Sequence, residues 1–560
     1  MSGLPAIAAG GRGRRVAVVA MLALGQAVGA GVAAVAIRDA FAALADVKPV
    51  LPVFSLALIT ASGLAIALLR WNERVAAERL SQDFAAALRL DLFGHIARLP
   101  VNELAKRRIG GLSLRFVGDL TAVRSWVSRG LTRLLSAAIV IPVVGAILFQ
   151  INAHLALAAL LPVGLGLVVV GATGSALLQA HGQLRRRRAR LAADVAERLP
   201  HAAELRLLGR LRQERKQIER RSQAMVTAVL HRQRRSSLIR VVPDITGGLA
   251  TVLILGVALT GSIPGAETAG TLAALGMLIQ KMRELGSVWD RYCAWRAARA
   301  RCLALLAVPP LPKSGSSARS QGDQSVGMRV CLTNVSHHGL KRINAVAEPG
   351  QKIGITGPNG AGKSALLRLV AGAERPLRGR VALDHLSATA WVGGVKKRIV
   401  YTGSSSPILA GSLRRALTMG AKPRPNDAET ESVARGFGLG PVLKRLGGLD
   451  GRVAENGRNL SAGEIRRILL TRAALTRADL LLLDDLDHAM DRKGSALIRK
   501  LIHTTDATVL AVSHHTKQLR SMDQIWNLER GTLTVMETRT FGLPGQRREI
   551  ESGRCSRPAG

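Results

Sequence analysis

The chain has 560 residues, of which 48% are hydrophobic, and a mean hydropathy of +0.19. This length accommodates several domains, and the hydropathy excludes an ordinary, wholly soluble composition. The formal net charge of +41 fits either a nucleic-acid-binding protein or a membrane protein with basic cytoplasmic loops, so the position of the charge decides between these two classes.

Six apolar segments follow one another in the first half of the chain, and we predict that each crosses a membrane. The first is long enough to span a bilayer. A cleaved signal peptide is the alternative for this segment, but its apolar run exceeds the usual signal core and further spans follow it. The predicted spans cover residues 16–37, 50–69, 131–151, 155–178, 245–259 and, more weakly, 269–279.

The positive charge is concentrated in the two long polar connectors between these spans. Residues 70–130 contain 11 Lys and Arg against 6 Asp and Glu, and residues 181–240 contain 17 against 5. Basic loops remain on the cytoplasmic side of a membrane. We therefore predict two long intracellular helical hairpins with both chain termini inside, and no nucleic-acid partner is needed to explain the charge. The four arginines at 185–188 are interpreted as a solvated helix end that faces lipid head groups, with DNA contact as the remote alternative.

The predicted spans contain few ionisable residues. Gln26 and Gln280 are the polar exceptions, and the pair Gly25 and Gly29 is typical of close helix packing. An ionisable residue inside a span often marks a substrate pathway. Its absence from the predicted spans is compatible with a bulky or amphipathic cargo.

From residue 328 onward, short apolar runs alternate with helical patterns, which indicates an α/β fold. Residues 311–327 have the Ser- and Gly-rich composition of a linker, and the Arg- and Gly-rich residues after 540 have that of a disordered segment. We therefore predict a membrane domain at 1–310, a linker at 311–327, an α/β domain at 328–540 and a basic tail at 541–560.

Residues 357–364, with the sequence GPNGAGKS, fit the pattern of a phosphate-binding loop between a strand at 352–356 and a helix at 365–370. Glycines allow backbone N–H groups to turn inward around an anion, and the helix N-terminus adds a favourable dipole. The lysine can reach the outer phosphates, and the serine hydroxyl can ligate Mg²⁺. The candidate binding residues here are Gly357, Asn359, Gly360, Gly362, Lys363 and Ser364.

Further candidate residues follow in the same domain. A buried strand at 480–483 ends in Asp484, a candidate Mg²⁺ ligand, and Asp485, a candidate catalytic residue that orients the attacking water. Ser461 and Gly463 stand at the start of a helix that can bind a γ-phosphate. His514 follows the apolar strand at 508–513, where a polar side chain can also contact that phosphate.

These motifs, in this order and spacing, resemble the ATPase domain of ABC transporters, and the first half of the chain resembles the six-span membrane domain of ABC exporters. The resemblance covers about residues 16–530 and includes two intracellular loops, at 107–119 and 197–209. It implies a fold with an all-α six-helix membrane domain, carrying long intracellular hairpins, followed by an α/β P-loop ATPase domain.

The resemblance also implies a function, cofactors and partners. The chain would be a half-transporter that binds ATP and Mg²⁺ and exports a small molecule, lipid or peptide across the inner membrane, with its ATPase domain cytoplasmic. It would form a homodimer or a heterodimer, in which each phosphate loop closes ATP against the partner's copies of Ser461 and Gly463. Membrane lipids and the cargo are the other expected partners, and residues 116–123 and 202–209 would be the coupling helices.

The chain departs from the family pattern at several positions. Asp485 stands where the family has Glu. The shorter side chain of Asp withdraws the carboxylate by about one bond, which can slow hydrolysis on the order of 10²-fold. Glu464, near the expected phosphate, replaces Gln, and Arg466 and Arg467 are expected to offset its charge. We therefore expect slow ATP turnover. A catalytically weak half of a heterodimer and a non-transporting, membrane-anchored nucleotide sensor are the alternatives.

Two further family residues are missing. Ser404 stands nearest the position of the Gln that contacts Mg²⁺, and no aromatic residue is present where one normally stacks on adenine. His337 and His338 occupy that region, and we predict that His338 is the adenine-stacking residue.

Overall fold

The computed structural model describes residues 6–45, 51–106, 115–312, 327–391, 399–403, 406–485 and 492–537. The described contacts divide the chain into two compact units. The first comprises Met1–Ala97 with Arg107–Pro309, and the second comprises Arg98–Lys106 with Pro310–Gly560. Most of the predicted linker and all of the predicted tail at 541–560 lie outside the described residues.

The first unit is helical. Its long helices are joined by short connections, and a π-helical turn at Val127–Leu131 links two of them into one continuous stretch. In chain order the helices are α1 Arg12–Ala45, α2 Val53–Ile96, α3 Val101–Ala105 (which belongs to the second unit), α4 Leu120–Trp126, α5 Thr132–Ile151, α6 Ala153–Arg198, α7 Ala202–Leu207, α8 Leu211–Thr260, α9 Gly265–Gly286 and α10 Val288–Leu306.

Five helical stretches in the described chain are long and apolar enough to cross a membrane. They correspond to the first five predicted spans. The sixth predicted span lies within α9, which is not among them and which carries Glu267, Lys281, Arg283 and Glu284; its crossing stays a prediction. The five stretches are Arg12–Leu44, Val53–Ile96, Leu120–Ile151, Ala153–Gly174 and Leu211–Thr260.

Small residues on α1 let the neighbouring helix approach closely, as the sequence predicts. A Cβ atom built on Gly25 would lie 3.1 Å from Leu69, and one built on Gly29 would lie 3.0 Å from Ile66, both on α2. Inside a membrane no hydrophobic effect drives helices together, so close backbone contact is a main source of their association.

The bundle holds a buried ionisable side chain just beyond the last predicted span. Lys281 on α9 is 2% exposed, and its ammonium donates to Ser136 Oγ at 2.9 Å and lies 3.5 Å from Gln26 Oε1. Gln26 in turn donates to Glu73 Oε2 at 2.6 Å, and Glu284 Oε2 lies 3.8 Å from the ammonium. The predicted span ended two residues before Lys281, so the sequence pattern placed this lysine in a loop.

The second unit is α/β, as predicted. Its helices are α11 Lys363–Val370, α12 Leu413–Thr418, α13 Asp427–Gly436, α14 Gly440–Leu446, α15 Ala462–Thr476, α16 Arg492–Thr504 and α17 Thr516–Leu519. Its strands are β1 Val330–His337, β2 Leu340–Ala347, β3 Lys352–Thr356, β4 Arg378–Leu383, β5 Leu386–Ser387, β6 Ile399–Gly403, β7 Gly411–Ser412, β8 Arg452–Val453, β9 Leu480–Asp484, β10 Thr508–Val512, β11 Gln524–Glu529 and β12 Thr532–Glu537.

The larger sheet brings the predicted motifs to one edge. Its strand order is β12-β11-β3-β10-β9-β6, and β3, β10, β9 and β6 pair in parallel. The carboxyl ends of parallel strands meet at the same edge, where ligands bind in open α/β sheets. The loops that follow β3, β9 and β10 therefore converge. A second, antiparallel sheet of order β2-β1-β4-β5 completes the hydrophobic core around α11.

Candidate functional site

The loop between β3 and α11 has backbone geometry that requires glycine. Gly357 has a φ of 139°, and a Cβ atom there would lie 2.1 Å from the Leu528 carbonyl oxygen. Gly362, which precedes the first residue of α11, has a φ of 103°, and a Cβ atom there would lie 2.7 Å from Leu340. A side chain at either position would displace the loop, so the glycines fix its path around the space in front of the helix.

This loop forms one side of an open cavity of about 980 Å³. The cavity brings together nine of the predicted site residues from three segments of the chain. They are Gly357, Asn359, Gly360, Gly362, Lys363, Ser364, Asp484, Asp485 and His514.

Lys363 is folded against its own loop. Its ammonium donates to the carbonyl oxygens of Gly357, at 2.7 Å, and Pro358, at 3.0 Å. Burial lowers the pKa of this lysine, while the nearby carboxylates of Asp485 and Asp484 raise it. A phosphate oxygen in the cavity can replace the carbonyl oxygens and gives the buried ammonium a charged partner.

Ser364 and Asp484 form a compact set of oxygen atoms. The Ser364 hydroxyl donates to Asp484 Oδ1 at 2.9 Å, and Asp484 is 7% exposed. Hydroxyl and carboxylate oxygens are the hard ligands that Mg²⁺ prefers, usually together with water and phosphate. These residues fit the ion that the resemblance implies.

Sequence reasoning missed Tyr401, which holds the other oxygen of this carboxylate. Its hydroxyl donates to Asp484 Oδ2 at 2.6 Å, and burial together with this bond raises the pKa of the tyrosine. Tyr401 lies on β6, directly beside β9 in the sheet. Only the pairing of these two strands, which are about 80 residues apart in sequence, brings the two side chains together.

Asp485 lines the cavity in an uncommon backbone conformation. Its φ is 51°, in the left-handed region that Asp tolerates better than most residues. Within the described chain, its carboxylate makes no hydrogen bond or ion pair, so it is available to a water molecule. His514, which follows the buried Ser513 at the end of β10, is exposed at the same cavity.

Ser461 and Gly463 do not line this cavity, and their contact with the nucleotide of a partner stays a prediction. Ser461 caps α15, where its hydroxyl accepts a bond from the backbone of Glu464 at 3.2 Å, and the Glu464 carboxylate accepts one from the backbone of Ser461 at 2.8 Å. Arg445 donates to the same carboxylate at 2.8 Å.

The expectation that Arg466 and Arg467 offset the charge of Glu464 is therefore wrong. Burial raises the pKa of Glu464, but the bonds from Ser461 and Arg445 outweigh it and the net shift is downward. The Arg467 guanidinium donates instead to the carbonyl oxygen of Gly438 at 3.1 Å.

The two histidines of the predicted adenine region lie in different environments. His337 is 2% exposed, and its Nε2 lies 2.7 Å from Glu374 Oε2, so this ring is committed to the core. His338 is exposed at the β1–β2 turn and stands outside the lining of the phosphate cavity. Its stacking on adenine stays a prediction. Ser404 lies outside the described residues.

Comparison with known proteins places both units in one family. The family model for the ABC transporter transmembrane region matches residues 17–284, and the family model for the ABC transporter matches residues 340–487. Together the two matches span most of the chain. The chain belongs to the ABC transporter family.

Individual relatives agree with this assignment. The multidrug efflux ATP-binding/permease protein of Mycobacterium bovis (strain BCG / Pasteur 1173P2) is 26% identical over 478 residues, covering 83% of this chain but only 40% of the relative. The glutathione/L-cysteine transport system ATP-binding/permease protein CydC of Escherichia coli (strain K12) is 26% identical over 513 residues, covering 86% of this chain and 85% of the relative. This ABC chain thus spans about two fifths of the length of the mycobacterial protein.

A solved structure of a bacterial Atm1-family ABC exporter with ATP bound shares the fold. It superposes with a TM-score of 0.79 and 19% identity, and the match covers 93% of this chain and 94% of that one. The helical membrane domain followed by an α/β domain is therefore the fold of this ABC transporter chain.

Proposed function

We propose that this chain is one half of a dimeric transporter that uses ATP binding and hydrolysis to export a cargo across the inner membrane. The observation that carries the proposal is the convergence of Lys363, Ser364 and Asp484 on one cavity, in a chain whose other unit consists of long apolar helices. The names of the relatives describe transport, which favours export over a sensor that moves nothing.

Each proposed role follows from the position of the side chain. Lys363 and the N–H groups of the glycine loop bind the phosphates, and Ser364 and Asp484 hold Mg²⁺ with Tyr401 fixing the carboxylate. The ion supplies charge neutralisation at the phosphate oxygens. Asp485 orients the attacking water, and His514 contacts the terminal phosphate.

The remaining roles concern the assembled protein. Ser461 and Gly463 complete the nucleotide site of the partner chain, which is a second copy or a related half-transporter. Leu207, the last residue of α7, is 84% exposed, and Leu208 directly after it is 72% exposed, which suits a surface that docks on a nucleotide-binding domain. The basic hairpins favour a cytoplasmic position for both termini and for the ATPase domain.

The test uses the purified full chain in liposomes and compares Lys363→Ala with the parent. We expect the variant to lose ATPase activity on the order of 10²-fold or more, because the lysine stabilises charge that develops on the phosphates. Lys444→Ala, an exposed lysine outside the cavity, is the matched control and should leave activity unchanged. Full nucleotide affinity and turnover in Lys363→Ala would contradict the proposal.

A further inference from the structure

The first unit contains a second large cavity, of about 1000 Å³, between α4, α6, α8 and α10. Its lining is strongly basic. Asp290 is the single carboxylate among the lining residues of the described chain, whereas seven of the lining residues are arginines. The arginines are Arg240, which is close to Asp290, and Arg129, Arg185, Arg188, Arg232, Arg291 and Arg296.

Asp290 is fully occupied by its neighbours. Its carboxylate lies 2.8 Å from His181 Nε2, accepts a bond from Ser236 Oγ at 2.8 Å, and pairs with Arg240 at 3.1 Å. Burial raises the pKa of Asp290, but these partners outweigh it and hold the pKa well below its usual range. The carboxylate is therefore already held by three partners, and this single acid faces several arginines.

The described protein compensates the charge of the other arginines only in part. Arg185 lies 3.9 Å from Asp119, a carboxylate that Arg301 also contacts. Burial, and then the like charges of Arg133 and Arg129, lower the pKa of Arg291 to about 10. Arg188 and Arg296 make no ion pair with any described residue. The Nε atom of Arg232 is buried and has no hydrogen-bond partner among the described residues. Bringing like charges together costs free energy unless an opposite charge is supplied.

The arginine run at 185–188 is more specific than a uniformly solvated helix end. Arg185 and Arg188 line the cavity, whereas Arg187 turns away and donates to the carbonyl oxygen of Ala224 at 3.0 Å. Residues three apart lie on one face of a helix. The run therefore directs two of its charges into the same enclosed space.

An apolar cavity of about 470 Å³ is lined by residues of α4, α6 and α10, three of the helices that also line the basic cavity. On α10, Asp290, Arg291 and Ala294 line the basic cavity, while Trp289 and Tyr292 line the apolar one. The aromatic side chains pack together, with Tyr292 5.4 Å from Trp126 between ring centroids. Leu134, Leu167 and Val170 also line it.

We propose that the basic cavity is a binding site for the anionic group, phosphate or carboxylate, of the transported cargo. The arginines supply the opposite charge and planar donor groups that pair with such anions in two places at once. The neighbouring apolar cavity favours a cargo that also carries a hydrocarbon or aromatic part. This site deepens the export function proposed above. It rests on that function only in identifying the bound anion as part of a transported cargo.

The test measures binding to the nucleotide-free full chain in detergent, by fluorescence anisotropy of labelled lipids. The probes are phosphatidylglycerol, which is anionic, and phosphatidylcholine with the same chains and label, which has no net charge. Inositol hexakisphosphate, added as a competitor, reports whether a water-soluble anion occupies the site. We expect phosphatidylglycerol to bind on the order of tenfold more tightly than phosphatidylcholine, because of the charge-assisted pairs.

The decisive variant is Arg188→Gln with Arg296→Gln, since neither side chain holds another described residue in place. We expect it to lose the preference for the anionic lipid. Arg188→Lys with Arg296→Lys should keep most of that preference. Arg212→Gln with Arg215→Gln, an exposed pair on α8 outside the cavity, removes the same charge and should bind like the parent. A melting temperature for each variant verifies that it is folded.

Three results would overturn the proposal: equal binding of the two lipids without competition by the soluble anion, an unchanged preference in the 188/296 glutamine variant, or an equal loss in the control pair. Competition by inositol hexakisphosphate that depends on Arg188 and Arg296, without preferential lipid binding, would support the site and assign it to soluble anions. Because no nucleotide is present, Lys363→Ala should bind the probes like the parent. Loss of the ATPase function and loss of this site are thereby distinguished.

Discussion

At the scale of single residues, Asp485 is the position where this chain differs most consequentially from its family. It lines the phosphate cavity one residue beyond Asp484, and its carboxylate is not engaged by any described side chain. The aspartate is one methylene shorter than the glutamate that the family resemblance leads us to expect. A nucleophilic water held about 1 Å from its productive position can react on the order of 10²-fold more slowly.

We therefore expect Asp485→Glu to raise the ATPase rate of the purified chain, by up to about 10²-fold, because the longer side chain moves the carboxylate toward the attacking water. The melting temperature should fall slightly, since Glu tolerates the left-handed backbone at this position less well than Asp. Asp450→Glu, at a side chain that is 81% exposed, is the control and should leave the rate unchanged. An unchanged or lower rate in Asp485→Glu would count against slow hydrolysis caused by geometry.

At the scale of elements, α9 is stabilised by a polar contact that its mainly apolar sequence does not indicate. Lys281 is nearly inaccessible and satisfies Ser136 and Gln26, both of which are also fully buried. The ammonium thus connects α9 to α5 and α1. A buried polar group that loses its partner costs about 1–3 kcal/mol, so these contacts hold the three helices in one register.

Replacing Lys281 by Met, which has a similar volume, should lower the free energy of unfolding by about 1–3 kcal/mol, because Ser136 and Gln26 are left without their donor. Thermal unfolding in detergent measures the effect. The triple variant Lys281→Met, Gln26→Leu and Ser136→Ala should recover part of the loss, since it also removes the orphaned groups. Arg283→Met, on the same helix but 61% exposed, is the control; an equal loss there would show that the buried contact is not the cause.

At the scale of the whole molecule, we propose that the candidate site supplies only half of the residues that the reaction needs. The cavity contains the phosphate loop and the carboxylates, while Ser461 and Gly463 stand at the start of α15, outside its lining. The helix N-terminus and its capping serine suit an anion that arrives from outside the chain. A dimer in which the two chains exchange these elements supplies both halves to each nucleotide.

Differently tagged copies of the chain test this exchange. If the chains exchange these elements, a dimer with Lys363→Ala in one copy and Ser461→Ala in the other has both substitutions at one nucleotide site. Its second nucleotide site is intact. A dimer with both substitutions in the same copy damages both sites. We expect the first dimer to trap about one nucleotide and the second to trap fewer, as measured by bound ATP after rapid filtration. Equal trapping by the two dimers would contradict the exchange.

The sequence by itself determined the motifs that are contiguous in the chain. The glycine loop at 357–364, the strand that ends at Asp484 and the long apolar helices are recognisable because a backbone path or a hydrophobic period is encoded by consecutive residues. The order of these motifs was sufficient to predict the α/β unit and its position after the membrane unit.

The tertiary structure decided which distant side chains become partners. The contact of Tyr401 with Asp484 depends on strands β6 and β9 lying side by side, and the choice of His337 over His338 for the core depends on Glu374. Lys281 is buried only because α1 and α5 pack against α9, and the arginines of the basic cavity converge only through the crossing of four helices. Such contacts join residues as many as 255 positions apart. The hydrophobic periodicity of the local sequence does not indicate them, because they arise from packing rather than from the path of the backbone.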